Sequence, residues 1–184
     1  MELLSRAGAL ARHSDSPDHY TRLYLTPAHR AAARQLAGWM AEAGLSVRVD
    51  SVGNVIGRYA AATPGARTLL MGSHFDSVRN GGRFDGVLGI LVPIACVAEL
   101  HRRGERLAVA IEVAAFSDEE GARFATGFLS SQSGRGLLAR VCDVGMMFVR
   151  CGAGGVSHNP AETVSAEDAE LAQHALLHFL RHYE

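Results

Sequence analysis

Three short segments of this sequence combine acidic and imidazole side chains in a way that could hold a divalent cation. They are Gly72-Ser73-His74-Phe75-Asp76, Gly82-Arg83-Phe84-Asp85-Gly86 and Ser117-Asp118-Glu119-Glu120-Gly121. Imidazole and carboxylate are the donors that borderline and hard divalent metals accept. Asp85 has two oxygens and can bridge two ions. Asp76, two residues after His74, is placed to accept the second N–H of that imidazole and so fix its tautomer. Glu119 and Glu120 can divide the work, one ligating while the other takes a proton from an activated water. Taken singly, each segment has an ordinary reading: a loop histidine, an N-capping aspartate, an acidic helix start favoured by the macrodipole. Their common position, beside the ends of predicted strands, favours the joint reading.

The elements that must position these groups alternate along the chain. Thr26-Pro27 caps a helix that runs to Gly44, with Leu36, Trp39 and Met40 on one face. Ser46 to Asp50 alternates and Asn54 to Tyr59 follows Gly53, which predicts a hairpin. Thr68 to Ser73 is a short apolar run suited to a strand buried on both faces. Val87 to Arg103 is helical, with Pro93 inside it as an expected kink, and Leu107 to Phe116 is the next buried strand. Val144 to Val149 reads as a further strand, with Met146 and Met147 as core residues. The last helix starts at the N-cap Ser165, and Leu171, Ala175 and Phe179 share one stripe. This order implies an α/β three-layer sandwich with a mostly parallel central sheet, in which sites form beyond the carboxyl ends of the strands.

Composition sets the outer limits. The 184 residues make one domain the default, and 48% hydrophobic with 20% charged residues is an ordinary globular balance. A net charge of -1 gives no reason to expect nucleic acid or an acidic membrane as partner. The longest apolar stretch, Val87 to Leu100, is too short and too interrupted to span a bilayer, and Met1 to Arg12 is amphipathic, without the apolar run of a signal peptide. Cys96, Cys142 and Cys151 form neither a CxxC pair nor an even framework, so a cytoplasmic, reducing setting is expected, with Cys142 and Cys151 as buried thiols. His174, His178 and His182 recur every four residues, as any exposed helix face allows.

The runs GSHFDSVRNGGRFDGVLGIL and VAAFSDEEGARFATGFLSS resemble the amidase and carbamoylase branch of the M20 metallopeptidase superfamily. Within it, TRLYLTPAHRAA and FVRCGAGGVSHNPAE are most similar to the allantoate amidohydrolases. The resemblance implies a zinc-exopeptidase-like catalytic domain and two divalent ions, zinc or manganese. It implies that His74 ligates one metal, Asp85 bridges both, and Glu120 and His158 complete the second site. Glu119 is then the general base and Asp76 the partner of His74. The implied substrate is allantoate or a related small ureido or N-carbamoyl compound; an N-carbamoyl-L-amino-acid hydrolase and a metallo-aminopeptidase are the neighbouring readings.

The resemblance also has a gap. Between TGFL and the last predicted strand, family members carry the rest of the catalytic domain and a lid domain that also makes the dimer. Here SSQSGRG, residues 130–136, has the composition of a linker at that point. No counterpart of the family's HIEQGP or SGAGHDA motifs is present in the sequence. The expectation is a single catalytic domain over 1–184 without a lid, a monomer, and a His74 site left incomplete. The alternative is a metal-binding remnant or scaffold without turnover.

Overall fold

The computed structural model describes residues 2–124 and 142–183. The expected linker at 130–136 lies outside the described residues. Helix α1 spans Glu2–Ala11, α2 Pro27–Glu42, α3 Leu88–Arg102 and α4 Ala166–His182; strands are β1 Ser46–Val49, β2 Val55–Tyr59, β3 Thr68–His74 and β4 Ala110–Phe116. Helix α2 begins as its sequence demands. The Thr26 side chain accepts the His29 N–H, and Pro27 occupies the first turn, where no donor is needed. A Ser165 cap does the same for α4 through the Asp168 N–H.

The strands form one sheet in the order β1-β2-β4-β3. The predicted hairpin pairs β1 with β2, and Asp50 closes it by accepting the N–H groups of Val52 and Asn54. Asn54 then reaches the neighbouring strand, its Oδ1 accepting the Ser117 N–H at 2.9 Å. The sheet is mixed, not mostly parallel: β1/β2 and β2/β4 run antiparallel, and only β3/β4 is parallel. A short connection lets the 46–59 segment reverse, whereas a parallel neighbour needs a crossover such as α3. Val55 and Tyr59 meet Ile111, Val113 and Ala115 on the inner face, under α2 and α3. Helices α1 and α4 pack in turn against α3. The described residues therefore fill two of the three expected layers, and the far face of the sheet presents Leu70 and the Arg58–Glu112 ion pair to solvent.

Several local expectations change for the same reason. Strand β3 stands at the sheet edge and alternates half-buried with exposed residues, so it is not buried on both faces. Residues 144–149 form no strand; Val144, Met146 and Met147 are exposed and Phe148 is 84% exposed, so the two methionines are not core. A β-like composition makes a strand only where a ladder partner is available. Leu171, Ala175 and Phe179 do share a stripe, but it faces solvent; α4 buries Ala169, Ala172, Leu177 and Leu180 against α3. With apolar residues on two faces of α4, periodicity could not choose between them. Helix α3 continues through the buried Pro93 as one element. Cys142 is exposed and Cys151 half-buried, while Cys96 is buried. His174, His178 and His182 lie exposed along α4. Among the described residues no helix is long and apolar enough to cross a membrane.

Candidate metal centre

The parallel pairing of β3 with β4 sets His74 beside Phe116, so both strands end at one level. The Phe75 N–H adds one more bond to the Phe116 carbonyl at 3.0 Å, and the chain then turns at the buried Asp76. Asp76 Oδ1 accepts the Glu119 N–H at 3.1 Å and Oδ2 accepts the Glu120 N–H at 3.0 Å. The same carboxylate lies 3.3 Å from His74 Nδ1. Asp76 thus ties the loop after β4 to the loop after β3, a task beyond orienting one imidazole. With Nδ1 turned toward Asp76, Nε2 is the His74 nitrogen left facing Asp85, whose Oδ1 is 3.9 Å away.

Two further buried groups hold these loops. Arg22 donates from Nε to the Phe75 carbonyl at 2.6 Å and from Nη1 to the Leu10 carbonyl at 2.9 Å, where α1 ends. His29 Nε2 donates to the Ser117 carbonyl at 2.9 Å, which accepts only, and its ring stacks on Phe75 at 4.3 Å. Burial pushes the His29 imidazole down to about 4, so it is neutral at ordinary pH. Neither Arg22 nor His29 stood out in the sequence. Their only signal there is that both lie inside the run TRLYLTPAHRAA.

Asp85 enters from the loop ahead of α3. Its turn requires Gly86, which has φ of 68°; a Cβ there would lie 2.5 Å from both the His74 carbonyl oxygen and Nε2. Residues 156–162 approach from the other side. Ser157 Oγ donates to Asp85 Oδ2 at 3.1 Å, and His158 Nε2 lies 3.1 Å from Asp85 Oδ2 and 3.2 Å from Glu120 Oε1. His158 has φ of 56°, a left-handed conformation that costs a side-chain-bearing residue roughly 1–2 kcal/mol.

Two sets of donor atoms result, each within 4.8 Å of one another: His74, Glu119 and Glu120, and Asp85, Glu120 and His158. The second is the ligand set that the sequence resemblance implies for one metal. Glu119 joins the first set as well, a juxtaposition that adjacency to Glu120 alone did not imply. Asp85 lies between the two histidines, one oxygen toward each. The donors suit a divalent cation, and the surroundings call for positive charge. Burial alone would lower the His74 imidazole, but Asp76, with Asp85 and Glu120 beyond it, overrides that and holds it up at about 9. Burial raises the Glu120 carboxyl, helped by Asp85 and Glu119 and opposed by the two histidines. These carboxylates favour a cation at this point, whether a proton or a metal.

The residues around the site have clear relatives. Residues 54–139 match the profile of Peptidase family M28, a label different from the M20 superfamily that the motifs resemble. A hydantoinase/carbamoylase family amidase from Burkholderia ambifaria superposes on 98% of this chain with TM-score 0.68 and 31% identity, using 40% of its own length. The chain resembles the hydantoinase/carbamoylase amidases in sequence and fold. "Allantoate deiminase 1" of Glycine max is 43% identical over 139 residues, 74% of this chain and 29% of that protein. "N-carbamoyl-L-amino acid amidohydrolase" of Geobacillus stearothermophilus is 47% identical over 118 residues, 64% of this chain and 29% of that protein. This chain therefore spans less than a third of the length of those two relatives.

One buried carboxylate beside the site escaped the motif reading. Glu162, four residues after His158, is buried, and its Oε2 accepts the N–H groups of Phe84 and Asp85. Its only signal in the sequence is its place in the same SHNPAE run.

Proposed function

We propose that this chain is the metal-binding catalytic portion of a dinuclear-metal amidohydrolase that cleaves a C–N bond of allantoate or a related ureido or N-carbamoyl compound. The observation that carries the proposal is the pair of donor sets sharing Glu120, with Asp85 between His74 and His158. The names of the relatives, allantoate deiminase and N-carbamoyl-L-amino acid amidohydrolase, support the substrate class. His74 would hold one ion, Asp85 both, and Glu120 with His158 the other. Two zinc or manganese ions bound there would supply Lewis-acid polarisation of the scissile carbonyl and bring a water's pKa toward ~7. Glu119 takes the proton of that water and passes it to the leaving nitrogen. Asp76 holds the His74 tautomer and, through the 119 and 120 amides, the position of the base.

A second reading is a metal-binding remnant without turnover. It is supported by the short span of this chain relative to its relatives and by the missing HIEQGP counterpart, which leaves His74 without the family's further histidine. This chain takes up only 40% of the Burkholderia amidase, and the order of its motifs puts the absent lid around 130–136. Without that domain the chain is a monomer, which light scattering measures directly.

One experiment separates the readings. Zinc or manganese content is measured after dialysis, and allantoate hydrolysis is assayed on the same sample and on Glu119→Gln. Metal uptake with turnover that falls at least a hundredfold in the variant is expected of the enzyme. Metal uptake without turnover selects the remnant. No metal uptake sinks both.

A further inference from the structure

Glu162 ligates nothing in the roles assigned above, yet it is only 7% exposed on a segment whose other polar residues face solvent. Its Oε2 accepts the Phe84 N–H at 2.9 Å and the Asp85 N–H at 3.3 Å, across 78 and 77 residues of chain. The loop it grips leaves room for it. Gly82 lies against the carboxylate so closely that a side chain there would run into Oε2. Glu162 is equally committed on its own side. Its N–H bonds the Asn159 carbonyl at 3.0 Å, closing the turn that starts one residue after His158. A left-handed residue such as His158 persists where its surroundings over-determine it. The turn, clamped at Glu162 to the Asp85 loop, provides that constraint.

We propose that Glu162 is a positioning residue, a latch that holds the His158 turn against the Asp85 loop so that Asp85, Glu120 and His158 meet as one cation site. The inference rests on the metal reading above. The set of His74, Glu119 and Glu120 depends instead on the β3/β4 pairing and on Asp76, so the latch acts on one set and spares the other.

The test titrates Co²⁺ into the full chain and follows its visible absorption, with circular dichroism as the check on folding. Glu162→Ala lowers the affinity of one Co²⁺ site ten- to a hundredfold, the usual effect of losing a residue that orients ligands. Glu162→Gln, whose amide oxygen still accepts an N–H, recovers part of that loss. Gly82→Ala, which displaces the same carboxylate from the other side, reproduces it. Combining Glu162→Ala with His158→Ala adds little to either alone, because one acts through the other.

Folded Glu162→Ala and Gly82→Ala chains that bind Co²⁺ as tightly as the parent, with the same spectrum, overturn the latch and leave the metal reading intact. A parent chain that binds no Co²⁺ overturns the metal reading, and the latch with it. Should Glu162→Ala not fold, Glu162→Gln and Gly82→Ala decide the matter on the same readout.

Discussion

His74 and His158 face the same carboxylate from two differently built regions. His74 ends a strand paired along its whole length with β4, is 8% exposed, and sits over a core of Phe75, His29 and Arg22. His158 stands on the irregular stretch between residues 142 and 164, with its side chain 55% exposed. That stretch is held by Ser157 and Glu162 on the Asp85 loop, by the Arg150–Asp168 ion pair to α4, and by Val149, Cys151 and Val164 against the core. The comparison teaches that a ligand at a strand end inherits the rigidity of the sheet. One on an irregular segment needs its own anchors.

The comparison can be tested by perturbing each region in turn. Gly86→Ala strikes the rigid side. It forces a Cβ toward the His74 carbonyl at a φ of 68°, so left-handed strain and overpacking add to about 3–4 kcal/mol of lost stability, measured by urea unfolding. A loss below about 1 kcal/mol would show that the His74 region yields, and the contrast would disappear.

Acid strikes the same side through His29. Its folded value of about 4 lies below the ordinary 6.5, so between those values the unfolded chain binds the extra proton. Its contribution is present above pH 6.5 and is lost as pH falls toward 4, by up to about 3 kcal/mol. Unfolding free energies of the parent and of His29→Gln, compared across that window, should differ in slope, the variant being flatter. Equal slopes would mean that burial does not lower the His29 imidazole in the folded chain.

The smallest effect is expected on the other side. Phe148→Ser, at a residue 84% exposed, should change stability by less than about 0.5 kcal/mol. A cost near that of Gly86→Ala would show that residues 142–150 are packed in solution, and would place His158 in a region as rigid as that of His74.

Much of this arrangement was legible in the chain. The cap at Thr26-Pro27, the hairpin around Asp50 to Asn54 and the α3 and β4 segments follow from short-range patterns that the structure keeps. Less legible were the elements whose state depends on a neighbour. The 144–149 run has strand-like residues but no ladder partner, and α4 offers two apolar faces of which α3 covers one.

The sequence by itself determined which donors are present and that His74, Asp85 and the 118–120 acids stand at the ends or mouths of elements. Those properties reside in residue type and in periods of two and three to four, which need no distant partner. Tertiary structure alone decided which of them meet. Asp76 binds the 119 and 120 amides across 43 and 44 residues, and Glu162 binds the 84 and 85 amides across 78 and 77. A hydrogen bond spanning that much chain leaves no local pattern, because it exists only once the sheet has brought its two ends together.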